Sequence, residues 1–187
     1  MEVIHGIHVN TVGESRFIGV YPPNVYLMLG KDMAILVDTG FDSPEEYKIR
    51  DAFLASLGSP PLSHIILTHR HLDHMGGAAH FHQLSGGMIT CSSTERDAIN
   101  SELRNAHVGQ IVEDGEILNL GDRTLEFIHT PGHTDGSLCI LIQGEGVLFT
   151  GDTVLGTGST TVNPQGGSMV SYLASLKKLQ AFNLNVM

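Results

Sequence analysis

The chain has 187 residues, 41% of them hydrophobic, with 20 acidic against 10 basic side chains and a formal net charge of −10 at pH 7. That length suits one domain over residues 1–187 with a core of ordinary size, and the acidic balance argues against broad binding to a phosphate backbone. No apolar stretch reaches membrane-spanning length, and Met1-Glu2-Val3-Ile4-His5 lacks a signal-peptide pattern, so the expectation is a cytoplasmic chain with no membrane partner.

Val25 to Leu29, a Gly30-Lys31-Asp32 turn and Met33 to Val37 read as a β-hairpin ending in Asp38-Thr39-Gly40. Ser43-Pro44-Glu45-Glu46 combines a cap residue, a proline at the first helical position and an acid three residues after the cap. Ile49, Phe53, Leu54 and Leu57 follow helical spacing, and Gly58 stops the helix. Ser63 to Leu67 is a short buried strand that delivers a histidine-rich loop. A helix is expected from Gly76 to Leu84 and a strand from Met88 to Cys91. Ser92-Ser93-Thr94-Glu95 reads as a second capping box, opening a helix to about Asn105. Strands follow at Ile117 to Leu120, Thr124 to Ile128, Leu138 to Ile142 and Val147 to Phe149, with Gly-containing turns between them. Leu155 to Gly167 reads as a loop. Tyr172, Leu173, Leu176 and Leu179 define a last helix, with Lys177 and Lys178 near its C-terminal end. Mixed sheets covered by helices follow from this order. Cys91 and Cys139, the only cysteines, sit in apolar runs and read as small buried hydrophobes in a reducing compartment.

Thr68-His69-Arg70-His71-Leu72-Asp73-His74 puts three imidazoles and a carboxylate within seven residues, at the end of a buried strand. Imidazole with carboxylate suits zinc, iron and manganese. Two further strand ends present a metal-type side chain beside a glycine: Thr130-Pro131-Gly132-His133-Thr134-Asp135-Gly136-Ser137 and Phe149-Thr150-Gly151-Asp152-Thr153. Glycine there permits close backbone approach, and strand-to-loop junctions are where rigid scaffolds place functional groups.

In this order and spacing, THRHLDH, TPGHTDGS and FTGD resemble the metallo-β-lactamase superfamily, with the Asp38-Thr39-Gly40 turn fitting as well. The resemblance covers about Val25 to Leu179. It implies an α+β fold: an αββα sandwich of two mixed sheets with helices outside and metals at one edge. It implies that His69, His71 and His133 hold a first metal, that Asp73 and His74 hold a second, and that Asp152 bridges the two. A bridging carboxylate would reduce repulsion between cations about 3.5–4 Å apart. Bound zinc lowers the pKa of its water to about 7, so a bridging hydroxide would be available as nucleophile, oriented in part by Asp73. Zinc, up to two ions, is the expected cofactor, with iron and manganese as alternatives.

An aspartate at position 152, where true β-lactamases of the family usually have Cys or Ser, argues against antibiotic hydrolysis. His69-Arg70-His71 differs from the His-x-Glu-x-Asp pattern of flavodiiron proteins. The remaining resemblance is to hydroxyacylglutathione hydrolase-like thioesterases, to persulfide dioxygenases, and, through LGTGSTT and YLASLKKL, to lactamase-β-like hydrolases. A hydrolase of a small ester or thioester is the first reading. A nuclease acting on RNA or DNA and a non-catalytic binding domain are the alternatives. Asp38 and Thr130 are expected to orient ligand imidazoles. Arg70 reads as a salt-bridge residue, with anion binding as the alternative. His5, His8, His64, His80, His82 and His107 read as surface or core residues, and Tyr26 and Tyr47 as core or rim. The family pattern has one more histidine after the last strand. Here Asn183 to Met187 looks like the start of that strand, and no histidine follows His133. The expectation is a truncated chain, one ligand short at the second metal, with open apolar surface favouring homo-oligomers.

Overall fold

Alternating side-chain direction along each strand sorts the apolar residues into three layers. In the computed structural model, which describes residues 1–11, 23–31 and 33–187, the strands are β1 (Glu2–Ile4), β2 (Ile7–Thr11), β3 (Asn24–Leu29), β4 (Ala34–Val37), β5 (Leu62–Ile66), β6 (Met88–Ser92), β7 (Gln110–Val112), β8 (Ile117–Asn119), β9 (Thr124–His129), β10 (Leu138–Ile142) and β11 (Val147–Phe149). The helices are α1 (Pro44–Ser56), α2 (Leu72–Met75), α3 (Ala78–Ser85), α4 (Arg96–Glu102) and α5 (Met169–Leu179). The larger sheet runs β1-β2-β3-β4-β5-β6-β7, antiparallel from β1 to β4 and parallel from β4 to β7. Its parallel crossovers carry α1, α2 with α3, and α4. The smaller sheet, expected to be mixed, is antiparallel through β8–β11. Its parallel pairing is the bridge Val147–Val186, which places the chain end beside β11 as the strand start read from the sequence.

Val25, Leu27, Ala34, Leu36 and Ile65 face Leu54, Phe81 and Ile99 of the helices. Their neighbours Met28, Ile35, Val37 and Ile66 face Leu125, Phe127, Leu138 and Ile140 of the other sheet. Ile128, Cys139, Leu141 and Leu148 turn outward to Leu179, with Phe182 and Leu184 packed alongside. These clusters give helix, sheet, sheet, helix, as expected. They also cover part of the outer face expected to be open.

The hairpin turn closes with Gly30 N–H donating to Met33 O at 2.9 Å, while Asp32 lies outside the described residues. Ser43 caps α1, its hydroxyl accepting from Glu46 N–H, and Gly58 follows the helix end at φ 82°. Ser168 caps α5 in the same way, accepting from Ser171 N–H at 3.2 Å. Ser168→Ala is expected to cost about 1 kcal/mol, checked by the urea midpoint. Helix α5 starts three residues before the apolar stripe, and Leu173, expected on the buried stripe, is 59% exposed. Ser175 is buried instead.

Two expected helices differ. The one expected over Gly76 to Leu84 is α3, and a separate short helix α2 precedes it and includes Asp73 and His74, which were expected in a loop. The His74 carbonyl accepts from Thr39 N–H (2.7 Å) and Thr39 Oγ1 (2.9 Å), so it is not spent on continuing the helix. Helix α4 ends at Glu102, and Glu95 precedes it without capping by its side chain. The Ser92 hydroxyl donates instead to Gly136 O at 2.7 Å. Short strands β1, β2 and β7 carry no sequence signal that separated them from loops. No helix among the described residues is long and apolar enough to cross a membrane.

Candidate metal centre

Four strand ends meet at one edge of the sandwich. β4 runs into Asp38, β5 into Thr68 and His69, β9 into the turn bearing His133, and β11 into the 3-10 turn Gly151–Thr153 bearing Asp152. The sheets are tied there by Leu138 N–H donating to Thr68 O at 2.9 Å. Gly151 has φ 47°, and a Cβ on it would stand 2.7 Å from Thr68 Oγ1, so only glycine lets this turn lie against the β5 end.

The candidate ligand atoms of His69, His71 and His133 lie within 4.8 Å of one another, as do those of His69, His74 and Asp152. His133 Nε2 is 2.8 Å from His71 Nδ1, and His69 packs edge-on to both rings. Asp152 reaches both groups, with Oδ1 3.2 Å from His74 Nε2 and Oδ2 3.5 Å from His133 Nε2. Asp73 stands at the rim, Oδ2 3.7 Å from His74 Nε2. All six residues read from the sequence are therefore brought together.

The backs of the rings are held by acceptors. Asp38, buried, takes Thr68 N–H at 2.8 Å and the Thr68 hydroxyl at 2.9 Å, and pairs with His74 Nδ1 at 2.8 Å. Thr68 Oγ1 lies 3.0 Å from His69 Nδ1. One carboxylate thus orients His74 directly and His69 through a hydroxyl, as expected for Asp38. The Thr161 carbonyl, which can only accept, takes the Nδ1 proton of His133 at 2.6 Å. Its Nε2 lone pair is left facing the cluster. Buried His69 Nε2 has no hydrogen-bond partner among the described residues. A buried ring nitrogen aimed at two other imidazoles without a partner fits a cation.

Burial opposes charge on the His69, His71 and His74 rings. It drives the His69 pKa well below the ordinary imidazole value, assisted by the neighbouring His74, His133 and His71. At His74 burial also acts downward, but Asp38 and Asp152 outweigh it and hold the pKa well above the ordinary value. Asp152 is buried enough to be raised, yet the hydrogen bond from His74 and the charges of His74 and His133 hold it below the usual carboxylate range. The donor set thus combines His69 and His71, held neutral, with an ionised Asp152, while the charge of His74 is offset by Asp38 and Asp152.

Thr130 does not orient an imidazole. Its hydroxyl contacts Thr153 Oγ1 at 3.1 Å and Cys139 Sγ at 3.4 Å, holding the two turns together. In the loop without periodicity, Thr161 O orients His133 at 2.6 Å instead, with Thr160 Oγ1 3.3 Å from the same Nδ1 and donating to the Asp152 carbonyl at 2.5 Å. Arg50 was also missed; it is buried and pairs with Glu46 at 2.9 Å. The seven remaining histidines, His129 among them, take no part in the cluster. His80 stacks on Tyr47 and pairs with Asp51, His82 holds Gly87 O, and His64 contacts Gln110. At the cluster a groove of about 780 Å³ is lined by Asp73, His74 and Asp152 and also by Tyr26, Phe149 and Leu155.

A family model described as the metallo-beta-lactamase superfamily matches residues 18–187. The chain belongs to that superfamily. It is 31% identical over 166 residues to an atrochrysone carboxyl ACP thioesterase of Emericella nidulans, covering 87% of this chain and 49% of that protein. It is 32% identical over 152 residues to a lactamase-like protein of Pestalotiopsis microspora, covering 80% of this chain and 44% of that protein. The chain thus spans about half the length of the curated relatives it matches. A beta-lactamase domain protein from Burkholderia ambifaria superposes with a TM-score of 0.86 at 20% identity, covering 100% of this chain and 68% of that one. A metallo-beta-lactamase from Pontibacter korlensis gives 0.82 at 19% identity, covering 97% and 84%. At these identities the structures share the fold.

Proposed function

We propose that the chain carries the site of a metal-dependent hydrolase acting on a thioester or ester. The observation that carries this is the convergence of His69, His71 and His133, with buried His69 Nε2 unpartnered, under an open groove. His69, His71 and His133 would hold one cation, Asp73 and His74 a second, with Asp152 between them. Zinc is the ion the donor set suits best. When bound, such cations supply Lewis acidity at the acyl oxygen and an activated water near neutral pH. The chain's own residues do the orienting. Asp38 holds the proton on His74 Nδ1, Thr68 relays the same carboxylate to His69, and Thr161 holds the proton on His133 Nδ1. With a cation in place of the proton between His74 and Asp152, each Nε2 would present a lone pair at the groove floor.

The thioester class draws support from the relatives named as thioesterases. The groove residues Tyr26, Phe149 and Leu155 offer an apolar acyl chain a surface, and the described lining residues include no Lys or Arg for a phosphodiester backbone. The cysteines fit a reducing compartment: both are free and buried, and burial pushes the Cys139 thiol up to about 11. Zinc-reconstituted protein is expected to turn over a simple acyl thioester and to lose that activity with a chelator. Turnover of single-stranded RNA or DNA alone would replace this reading with the nuclease, and metal uptake without turnover of thioester, lactone or phosphodiester would replace it with a binding domain.

A further inference from the structure

Glu95 has no exposed surface, yet it lies outside the three motifs. Its carboxylate accepts four hydrogen bonds from three donor groups. Arg70 Nη1 spans both oxygens at 2.9 and 3.1 Å, the Thr134 hydroxyl donates to Oε1 at 2.6 Å, and Gly136 N–H donates to Oε1 at 3.0 Å. Arg70 stands between His69 and His71, and Thr134 directly follows His133. The other arm of Arg70 donates to Gly166 O at 3.1 Å, in the loop whose Thr161 orients His133. A Cβ on Gly166 would stand 2.1 Å from that guanidinium nitrogen, so the loop meets Arg70 at a position where only glycine fits.

We infer that Arg70 and Glu95 are positioning residues for the three-imidazole set. His71 comes from the β5 end and His133 from the β9 end, in different sheets. Their ring nitrogens must sit at a fixed separation, 2.8 Å here, to serve one ion. The Arg70–Glu95 pair joins the backbones that carry them, through a planar fork on one side and a hydroxyl and an amide on the other. Because two arms of Arg70 are spent on Glu95 and Gly166, it is a strut, and anion binding is not its role. A buried carboxylate with its donors supplied from both ligand-bearing turns is a costly way to cap a helix and an efficient way to set a distance.

This rests on the metal-centre reading, so the test reads metal directly. Apo protein is titrated with cobalt(II), a spectroscopic stand-in for zinc, against a competing chelator. The double variant Arg70→Met/Glu95→Gln removes both charges together and leaves no buried ion alone, which favours retention of the fold. It is expected to bind the tighter cobalt about 10- to 100-fold more weakly, with an altered d–d spectrum, while its apo thermal midpoint stays close to wild type. Arg70→Lys, which keeps the charge but not the fork, is expected to recover part of the affinity. Should the double variant fail to fold, Thr134→Val cuts the strut on the His133 side alone and is expected to weaken binding in the same direction. Wild-type affinity and spectrum in these variants would overturn the positioning role alone. A wild-type chain that takes up no cobalt would overturn the metal-centre reading, and this role with it.

Discussion

Asp152→Ala is expected to lower kcat/KM on a thioester by about a thousandfold, roughly 4 kcal/mol of transition-state stabilisation. Asp152 is the group that reaches both imidazole sets, at 3.2 Å from His74 and 3.5 Å from His133. In the proposed centre its loss would remove the bridge between two cations and leave the water they would activate without a fixed place. Its side chain is 26% exposed, so the substitution opens no sealed cavity and strands no buried amide. Stability should therefore change far less than activity. The check is kcat/KM beside a urea melt, both at metal content matched to wild type. Comparable activity in the variant would remove Asp152 from the reaction.

Asp38→Ala is expected to act chiefly on the fold, costing about 3–5 kcal/mol. Three groups lose their acceptor at once: the buried Thr68 amide, the Thr68 hydroxyl and the His74 ring. Asp38 also sits at φ 58°, a region that aspartate and asparagine tolerate better than alanine. Asp38→Asn separates these effects. It keeps the backbone preference and an acceptor for Thr68, but loses the charge facing His74. It is expected to fold with a smaller loss and to bind metal about 10- to 100-fold more weakly. Urea denaturation and metal titration of both variants check this. An Asp38→Ala chain within about 1 kcal/mol of wild type would show that the relay does not support the edge.

The difference between Asp38 and Thr130 shows what local sequence carries. Both flank a motif, and both were expected to steer an imidazole. Asp38 does so because the parallel β4–β5 pairing sets it beside Thr68, a neighbour readable from the strand order. Thr130 faces Thr153 instead, because the direction of its side chain depends on how β9 meets the Gly151–Thr153 turn. His69, His71, Asp73 and His74 were legible because their spacing is local. His133 and Asp152 were legible because each sits beside a glycine at a strand end. Glu95 was not: its partners lie 25, 39 and 41 residues away, and the serine three residues before it imitates a helix cap. The His74 carbonyl taken by Thr39 was equally invisible, since it separates α2 from α3 through a contact 35 residues distant. Strands β1, β2 and β7 have three to five residues each, too few for alternation to stand out from loop composition.

The central claim is that three imidazoles from two sheets hold one ion. The most direct measurement is a crystal structure of the chain grown with zinc at neutral pH, with anomalous scattering recorded at the zinc edge. The account predicts a peak bonded to His69 Nε2, His71 Nδ1 and His133 Nε2, at about 2.0–2.1 Å from each nitrogen. A zinc peak elsewhere on the chain, with these three rings turned away from one another, would contradict it.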